Sequence, residues 1–222
     1  TILSQLTLRS LRFTYKKLKE KLTVSDSKAL FHDKFPFVIP NLYKRIIDEM
    51  LVELNLLNHQ SEFSQNSYFC VGLSETFKEL TNGYEPKDHL GKLFKALCES
   101  TNFNPEEILK TSQDTITSHE KKSLDEILNQ ILKNSSDKTY YSRIMILGIY
   151  KIITLANNFK EEVDISKLEI LTEVVNKLNL PLAKAQKDVS IYKSNLKKFE
   201  QAKELLRETI KSEREKRNKI EK

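Results

Sequence analysis

The side chains best suited to catalysis or metal binding are four histidines and two cysteines, and their spacing supports neither chemistry. They are His32, His59, His89, His119, Cys70 and Cys98. The histidines lie roughly thirty residues apart, without a pair one helical turn apart or a His-Glu-x-x-His sequence, so no metal site is predicted. No Cys-x-x-Cys occurs, and both cysteines are predicted to be small buried hydrophobes in a reducing compartment. Each histidine is expected at the surface or at a helix end.

Two other combinations of residues could suggest an enzyme, and both fail on geometry. His89 and Cys98 are nine residues apart on one predicted helix, which separates them by about 13 Å at a rise of ~1.5 Å per residue. Glu49 and Glu53 share a helix face, but a di-iron bundle also needs Glu-x-x-His motifs. We predict that these two carboxylates lie on a solvated face. Because the chain also lacks a phosphate-binding loop and a Gly-x-Ser-x-Gly motif, we expect a protein without catalytic groups, metal or cofactor.

The composition predicts a helical protein, so the histidines, cysteines and glutamates above are expected on or between helices. The chain has 222 residues, of which 31% are charged and only four are glycine and five proline, so chain breakers are scarce and helix formers abundant. No strand alternation persists, and no window of ~18 apolar residues predicts a membrane span. We therefore predict an all-α fold: a single multi-helix bundle with a long, partly projecting, coiled-coil-like C-terminal helix.

Capping signals and periodicity divide the chain into helices. Ser25 or Asp26 is predicted to cap the first helix, and Pro36 and Pro40 to end it. Further helices are predicted over residues 41–58, 68–81, 86–100, 104–115, 124–132 and 139–157, and from residue 164 or 166 to the turn at Pro181. The segment 139–157 is apolar nearly all round, which predicts the centre of the bundle.

The last segment carries an apolar stripe with heptad spacing. Its members are Val189, Tyr192, Leu196, Phe199, Lys203, Leu206 and Ile210. Such a stripe can dock on a bundle or form a projecting arm for a partner. We predict a mixture, docked at its start and projecting beyond about residue 201, with Lys203 weakening the seam. The predicted organisation is therefore a basic leader or extra helix at 1–22, a bundle at 23–183 and a long basic helix at 184–222.

Positive charge is concentrated at the two ends of the chain. The net charge is +6, whereas residues 1–22 and 184–222 together carry +11. Basic ends attract nucleic acid or an anionic membrane surface. A nucleic-acid-binding module is therefore the alternative function, although residues 203–222 contain no aromatic side chain and five interspersed glutamates, which disfavours it. The low acid content of residues 1–22 is also compatible with a transit peptide.

Several phrases of the sequence resemble one known family. Thr23-Val24-Ser25-Asp26 is followed by Lys28 and by a helix running from Leu42 to Leu57. Later phrases follow in order: Phe69 with Gly72-Leu73, Gly83-Tyr84, Phe94 with Ala96-Leu97-Cys98, Tyr141-Ser142-Arg143 and Tyr192-Lys193-Ser194-Asn195-Leu196. Over residues 23–217 the chain thus resembles the thylakoid-formation family, the photosystem II biogenesis proteins of cyanobacteria and chloroplasts.

The resemblance implies a non-enzymatic accessory role in photosystem II biogenesis or repair and in thylakoid organisation. It implies as partners the thylakoid FtsH protease complexes and photosystem II assembly or repair intermediates, with peripheral contact to anionic thylakoid lipid. It places the protein peripherally at the thylakoid, on the cyanobacterial cytoplasmic or the chloroplast stromal side. The candidate partner-binding residues are Tyr84, Arg143, Ser194 and Asn195 on the family phrases, and Leu206, Ile210, Arg214 and Arg217 on the last helix. Arg143 could instead form an ion pair or cap at a helix start, and Ser194 and Asn195 could simply face solvent.

Overall fold

The computed structural model describes residues 22–120, 122–133, 139–155 and 164–220, and in them all regular structure is helical. The helices are α1 (Val24–Lys34), α2 (Asn41–His59), α3 (Ser67–Leu80), α4 (His89–Glu99), α5 (Pro105–His119), α6 (Leu124–Lys133), α7 (Arg143–Leu155), α8 (Asp164–Lys177) and α9 (Leu182–Ile220). This confirms the predicted all-α bundle. The predicted leader, apart from Leu22, lies outside the described residues. Among the described helices, none combines the length and apolarity needed to cross a membrane.

The start of α1 is fixed by Thr23 rather than by the predicted Ser25 or Asp26. The Thr23 hydroxyl accepts a hydrogen bond from the Asp26 backbone N–H at 3.1 Å, and the Thr23 N–H donates to the Asp26 carboxylate at 3.0 Å. This reciprocal pair is a capping box, which satisfies two backbone donors that a helix start leaves open. Asp26 thus takes part in the cap from inside the helix.

Three predicted helix boundaries are wrong, two of them at α4 and α5. α4 begins at His89, and Pro86, which was predicted in its first turn, lies in the preceding turn. α5 continues to His119 although its sequence becomes polar near Thr115. The Thr115 hydroxyl donates to the Thr111 carbonyl oxygen at 2.6 Å. Because this hydroxyl bonds within its own helix, it does not interrupt the helix.

α7 is the centre of the bundle, as predicted. Residues 144–150 are all buried, and the helix crosses α3 so closely that two glycines meet there. A Cβ on Gly72 would lie 1.8 Å from the Ile144 carbonyl oxygen, and one on Gly148 equally close to the Tyr68 carbonyl oxygen. The helix begins at Arg143 and not at residue 139, because the Ser142 hydroxyl accepts the Met145 backbone N–H at 3.1 Å and caps it.

α9 is the long C-terminal helix that the stripe predicted. Val189, Tyr192 and Phe199 are buried against the bundle, and Lys203 is the last buried position. Every residue from 204 to 215 is exposed. The helix therefore docks through its first six turns and then continues beyond the bundle. We call residues 204–215 the arm.

Candidate functional site

The first turns of α9 are attached to the bundle through Tyr141. Its hydroxyl donates a hydrogen bond to the Asp188 carboxylate at 2.6 Å, and the Lys184 ammonium lies 4.4 Å from the centre of its ring. Burial, together with the hydrogen bond to Asp188, raises the pKa of Tyr141 above its ordinary value. The tyrosine is therefore neutral and remains a donor, which fixes the start of α9 beside α7.

The middle of α9 is attached through Tyr192. Its hydroxyl donates to the Glu79 carboxylate, which also forms an ion pair with Lys151. The Lys151 ammonium lies 5.2 Å from the centre of the Tyr192 ring. Burial and then the bond to Glu79 raise the pKa of Tyr192. One glutamate of α3 thus connects the central helix to α9, and charge-assisted hydrogen bonds of this kind are stronger than neutral ones.

Lys203 ends the docked part of α9, and its role differs from the predicted one. The residue is 6% exposed, its ammonium binds both oxygens of Glu200 at 2.9 Å and lies 5.5 Å from the centre of the Phe199 ring. Its stem packs on the loop after α3, where a Cβ on Gly83 would lie 3.1 Å from Lys203 Cε. Gly83 has a φ of +85°, which suits glycine. Lys203 therefore packs its apolar stem against the bundle while its charge is paired.

The arm carries large apolar side chains that the described part of the protein leaves exposed. Leu205, Leu206 and Ile210 are 64%, 49% and 42% exposed. The predicted partner residues Leu206 and Ile210 belong to this set, and Arg214 is exposed beside them. Leu205 was not predicted, because it falls outside the heptad spacing. Arg217 lies in α9, but its side chain is outside the part that the structure describes.

Arg143 and Glu53 form an ion pair between α7 and α2. The Arg143 Nε lies 3.2 and 3.1 Å from the two Glu53 oxygens. Arg143 therefore forms an ion pair at a helix start, which was the predicted alternative to partner binding. The predicted solvated position of Glu53 is wrong, since its side chain is 19% exposed in this pair. Glu49 does lie at the surface, bonded to Arg45 at 2.8 Å.

The other predicted site residues divide between core and surface. Tyr84 is 1% exposed and packs edge-to-face on Tyr43 at 5.0 Å, so its side chain belongs to the core and not to a contact surface. Ser194 and Asn195 are exposed on the docked part of α9. They lie more than two turns before the arm, and the structure does not bring them together with Leu206 and Ile210.

A groove beside Arg143 was not predicted. It runs between α2 and the segment that precedes α7, with a cavity volume of ≈ 880 Å³. Its walls include the exposed Leu56, and its charges include Lys28, which lies 3.8 Å from Asp48. Its two sides are about ninety positions apart in the sequence. No local pattern connects them, so sequence periodicity could not find the groove.

The two cysteines lie where their thiols are unreactive, and one of the histidines is buried. Cys70 and Cys98 are fully buried, as predicted. Burial raises the pKa of Cys70 to about 12 and raises that of Cys98 as well, so neither forms the reactive thiolate at neutral pH. His119 lies at a helix end as expected, but it is 1% exposed. Among the described residues, no three His, Cys, Asp or Glu side chains gather to hold a metal ion.

Comparison with known proteins gives one consistent family. A family model described as thylakoid formation protein matches residues 23–221. Protein Thf1 of Prochlorococcus marinus subsp. pastoris (strain MED4) is 57% identical over 90% of this chain and 100% of the relative. Protein Thf1 of Prochlorococcus marinus (strain MIT 9312) is 54% identical over 86% of this chain and 95% of the relative. A solved structure of Psb29 superposes with a TM-score of 0.80 at 28% identity, over 88% of this chain and 98% of that one.

Proposed function

This chain belongs to the thylakoid formation protein family, and we propose that it is an accessory protein, without enzymatic activity, that binds a protein partner through the arm. The family is known for thylakoid formation and photosystem II biogenesis. Within that role, the proposed task of this chain is to hold one partner at the end of α9 while the bundle acts as a rigid platform.

The exposure of the arm carries this proposal. An α-helix gains most of its stability in proteins from packing an apolar face, and the arm leaves Leu206 and Ile210 unpacked. The two side chains lie four residues apart, which places them on one face of the helix. Glu204, Glu208 and Glu215 lie on the opposite face, and Glu213 borders the apolar pair at its C-terminal end. Recognition of an apolar helix face by a partner groove or helix needs this arrangement.

The attachment of α9 supports the platform part of the proposal. Tyr141 and Tyr192 hold the helix by hydrogen bonds at its start and middle, and the Lys203 stem packs on the Gly83 loop at its last docked turn. A helix held in this way at three levels keeps a fixed direction, so the arm is presented in one orientation. A pre-organised surface loses less conformational entropy when it binds.

We further propose that the partner is a thylakoid FtsH protease complex, and that photosystem II assembly or repair intermediates are reached through it. These partners follow from the family resemblance and not from the geometry. The protein would work peripherally at the thylakoid, where basic residues at the end of α9, such as Arg214, favour an anionic lipid surface.

Co-purification tests the arm. The tagged full-length protein would be expressed in a photosynthetic host and recovered from gently solubilised thylakoids. We expect FtsH subunits with the unmodified protein and an at least tenfold loss of them with the double variant Leu206→Glu/Ile210→Glu, because two charges on the apolar face oppose its burial. The matched control is Glu208→Gln on the opposite face, which should retain the partner.

Helicity and thermal unfolding of the purified variants serve as the folding control. If Leu206→Glu/Ile210→Glu lowers either, the leucine and isoleucine contribute to the core and the arm is wrongly assigned. Full recovery of FtsH by a protein truncated after Lys203 would move the binding site to the bundle. Recovery of no thylakoid protein at all would contradict the accessory role.

A further inference from the structure

The groove beside Arg143 is lined by one face of α2 along its whole length. The lining positions on this side recur every three or four residues: Asn41, Lys44, Asp48, Val52, Leu56 and, just after the helix, Gln60. Such spacing keeps side chains on one side of a helix. From Asn41 to Gln60 the face extends about 28 Å at a rise of ~1.5 Å per residue. The groove is therefore an elongated surface, closed on its other side by residues 140–143 and by Lys184 of α9.

Positive charge exceeds negative charge along the described lining of this groove. Five positive side chains line it, Lys28, Lys44, Arg45, Arg143 and Lys184, and three negative ones, Asp48, Glu49 and Glu53. Each carboxylate has a basic neighbour, because Asp48 lies 3.8 Å from Lys28 while Glu49 and Glu53 bind the two arginines. Among the described residues, Lys44 and Lys184 have no ion-pair partner. The groove thus keeps two uncompensated positive charges.

Lys184 keeps its charge available although Asp188 follows one turn later on α9. Asp188 is not part of the lining, and its carboxylate accepts the Tyr141 hydroxyl at 2.6 Å. The Lys184 ammonium lies instead 4.4 Å from the centre of the Tyr141 ring. A ring face attracts a cation without taking up its strong N–H donors, so the ammonium can still bind a carboxylate. Even with Asp188 counted, the balance at the groove remains positive.

The groove also offers apolar surface at the C-terminal half of α2. Leu56 is 52% exposed, and Val52 and Tyr140 are half-buried in the same lining. A single exposed leucine is ordinary on a protein surface. Here the leucine lies in a concave lining beside other apolar atoms, where an apolar side chain of a ligand would lose its contact with water. Burial of that kind gains about 25 cal/mol per Å².

Length, charge and apolar surface together favour one kind of occupant. A bilayer is flat and cannot enter a groove between α2 and residues 140–143. A nucleic-acid strand carries a phosphate on every nucleotide, and three carboxylates interrupt this lining. A peptide with a few acidic residues and one apolar residue matches both the small positive excess and Leu56. About eight extended residues cover ~28 Å at ~3.3–3.6 Å each.

We propose that this groove binds a short acidic segment of a partner protein. The carboxylates of the segment pair with Lys44 and Lys184, and an apolar side chain of the segment packs on Leu56. The groove is a second interaction surface, separate from the arm, because Lys184 lies twenty residues before Glu204, or about 30 Å along α9. The groove can therefore fail a binding test while the proposed role of the arm stands.

Selection from a random peptide library tests the proposal. The purified full chain would be immobilised and used to enrich displayed peptides of about eight residues, the length that the groove accommodates. The Kd of an enriched peptide would then be measured by fluorescence polarisation. We expect enriched sequences to carry a net negative charge and at least one leucine, isoleucine or phenylalanine. Their Kd should rise with salt concentration, because ion pairs at an exposed groove are screened.

Charge reversal locates the binding site. Lys44→Glu and Lys184→Glu should each raise the Kd several-fold, and the double variant at least tenfold, because a repelling charge replaces an attracting one. Both lysines are exposed and without an ion-pair partner in the described part of the chain, so helicity and thermal unfolding should not change. Lys197→Glu is the matched control, since Lys197 is also exposed on α9 but lies outside the lining. It should retain the wild-type Kd.

The apolar contact is tested by a polar substitution. Leu56→Asn should raise the Kd several-fold at high as well as at low salt, because this contact does not depend on charge. Leu205→Asn is the matched control, since Leu205 is similarly exposed but belongs to the arm. It should leave the Kd unchanged.

Three outcomes of the selection would overturn the proposal: no enrichment, enrichment of neutral or basic peptides, or equal Kd values for the wild type and the folded double variant. A single-stranded DNA oligonucleotide that binds more tightly than every enriched peptide, and that the double variant loses, would overturn it in favour of nucleic acid. Leu206→Glu/Ile210→Glu leaves the groove intact and should bind the peptide like the wild type. A failure at the groove is thereby distinguished from a failure of FtsH recovery by the arm.

Discussion

His119 is buried in a way that favours its neutral form. It is 1% exposed, and its Nδ1 lies 2.6 Å from the carbonyl oxygen of Thr115. Because a carbonyl oxygen only accepts, Nδ1 carries the proton. Nε2 is buried without a hydrogen-bond partner, so a second proton there would be a buried, unpaired charge. Burial accordingly lowers the pKa of His119 below its ordinary value.

The lowered pKa predicts a loss of stability in acid. The unfolded chain takes up a proton near pH 6.5, whereas the folded His119 resists it, so the free energy of unfolding falls as the pH drops below about 6.5. One proton limits the slope to about 1.4 kcal/mol per pH unit. Denaturant unfolding between pH 7.5 and 5.5 should show a shallower pH dependence for His119→Leu than for the wild type. Parallel curves for the two proteins would exclude His119 as the source.

The depth of His119 could not be predicted from its neighbours in the sequence. Ser112, Thr115 and His119 form a polar stripe along α5, and polar stripes usually face solvent. This stripe is buried because its partners are polar too: the hydroxyls of Ser112 and Ser74 of α3 lie 2.5 Å apart. By contrast, burial of Cys70 and Cys98 was predicted correctly. A free cysteine behaves as a small hydrophobe, so inside an apolar helical pattern it is expected in the core.

At the level of single helices, the capping box of α1 predicts a measurable contribution to stability. Thr23→Ala removes the side-chain acceptor for the Asp26 N–H and should lower the free energy of unfolding by about 1 kcal/mol. Ser25→Ala is the matched control, since Ser25 is exposed within the helix and should have an effect near zero. Equal losses for both variants in urea unfolding would show that Ser25 shares the cap.

The crossing of α3 and α7 predicts a contrast between glycines. Gly72→Ala and Gly148→Ala would each place a methyl group 1.8 Å from a backbone oxygen, so the two helices must move apart. We expect a loss of about 1–3 kcal/mol or more in the free energy of unfolding. At Gly91 a Cβ meets no atom within 4 Å, and Gly91→Ala should stabilise α4 by about 0.5–1 kcal/mol. Thermal unfolding of the three variants gives the comparison, and a tolerated alanine at Gly72 would contradict the close crossing.

The sequence predicted α7 as the central helix but not the helix that it crosses. Its apolar circumference is a property of the segment alone, and burial of residues 144–150 follows from it. The choice of α3 as neighbour depends on Gly72 and Gly148, which are about seventy-six positions apart. A lone glycine inside a helix does not indicate a close helix crossing until the backbone that faces it is known.

For the molecule as a whole, α9 connects the bundle to the surface where a partner can bind. The heptad stripe predicted this division, and the last buried position, Lys203, lies two residues beyond the predicted limit near 201. The difference arises because a lysine at a stripe position can bury its stem and pair its charge with Glu200. Hydropathy alone assigns lysine to solvent, so the end of docking was predicted slightly early.

The boundary at Lys203 predicts that substitution of a large apolar side chain by alanine affects stability before the boundary but not after it. Phe199 is 6% exposed, and Phe199→Ala should lower the free energy of unfolding by about 3 kcal/mol, because it removes a ring packed on Tyr43 at 5.5 Å. Leu206 is 49% exposed, and Leu206→Ala should change stability by less than about 0.5 kcal/mol. Amide hydrogen exchange should show the same boundary, with strong protection over residues 185–199 and weak protection over 204–215, since the arm opens without disrupting the bundle. Protection that continued undiminished through residue 215 would mean that another surface already covers the arm, and its apolar face would then be unavailable to a partner.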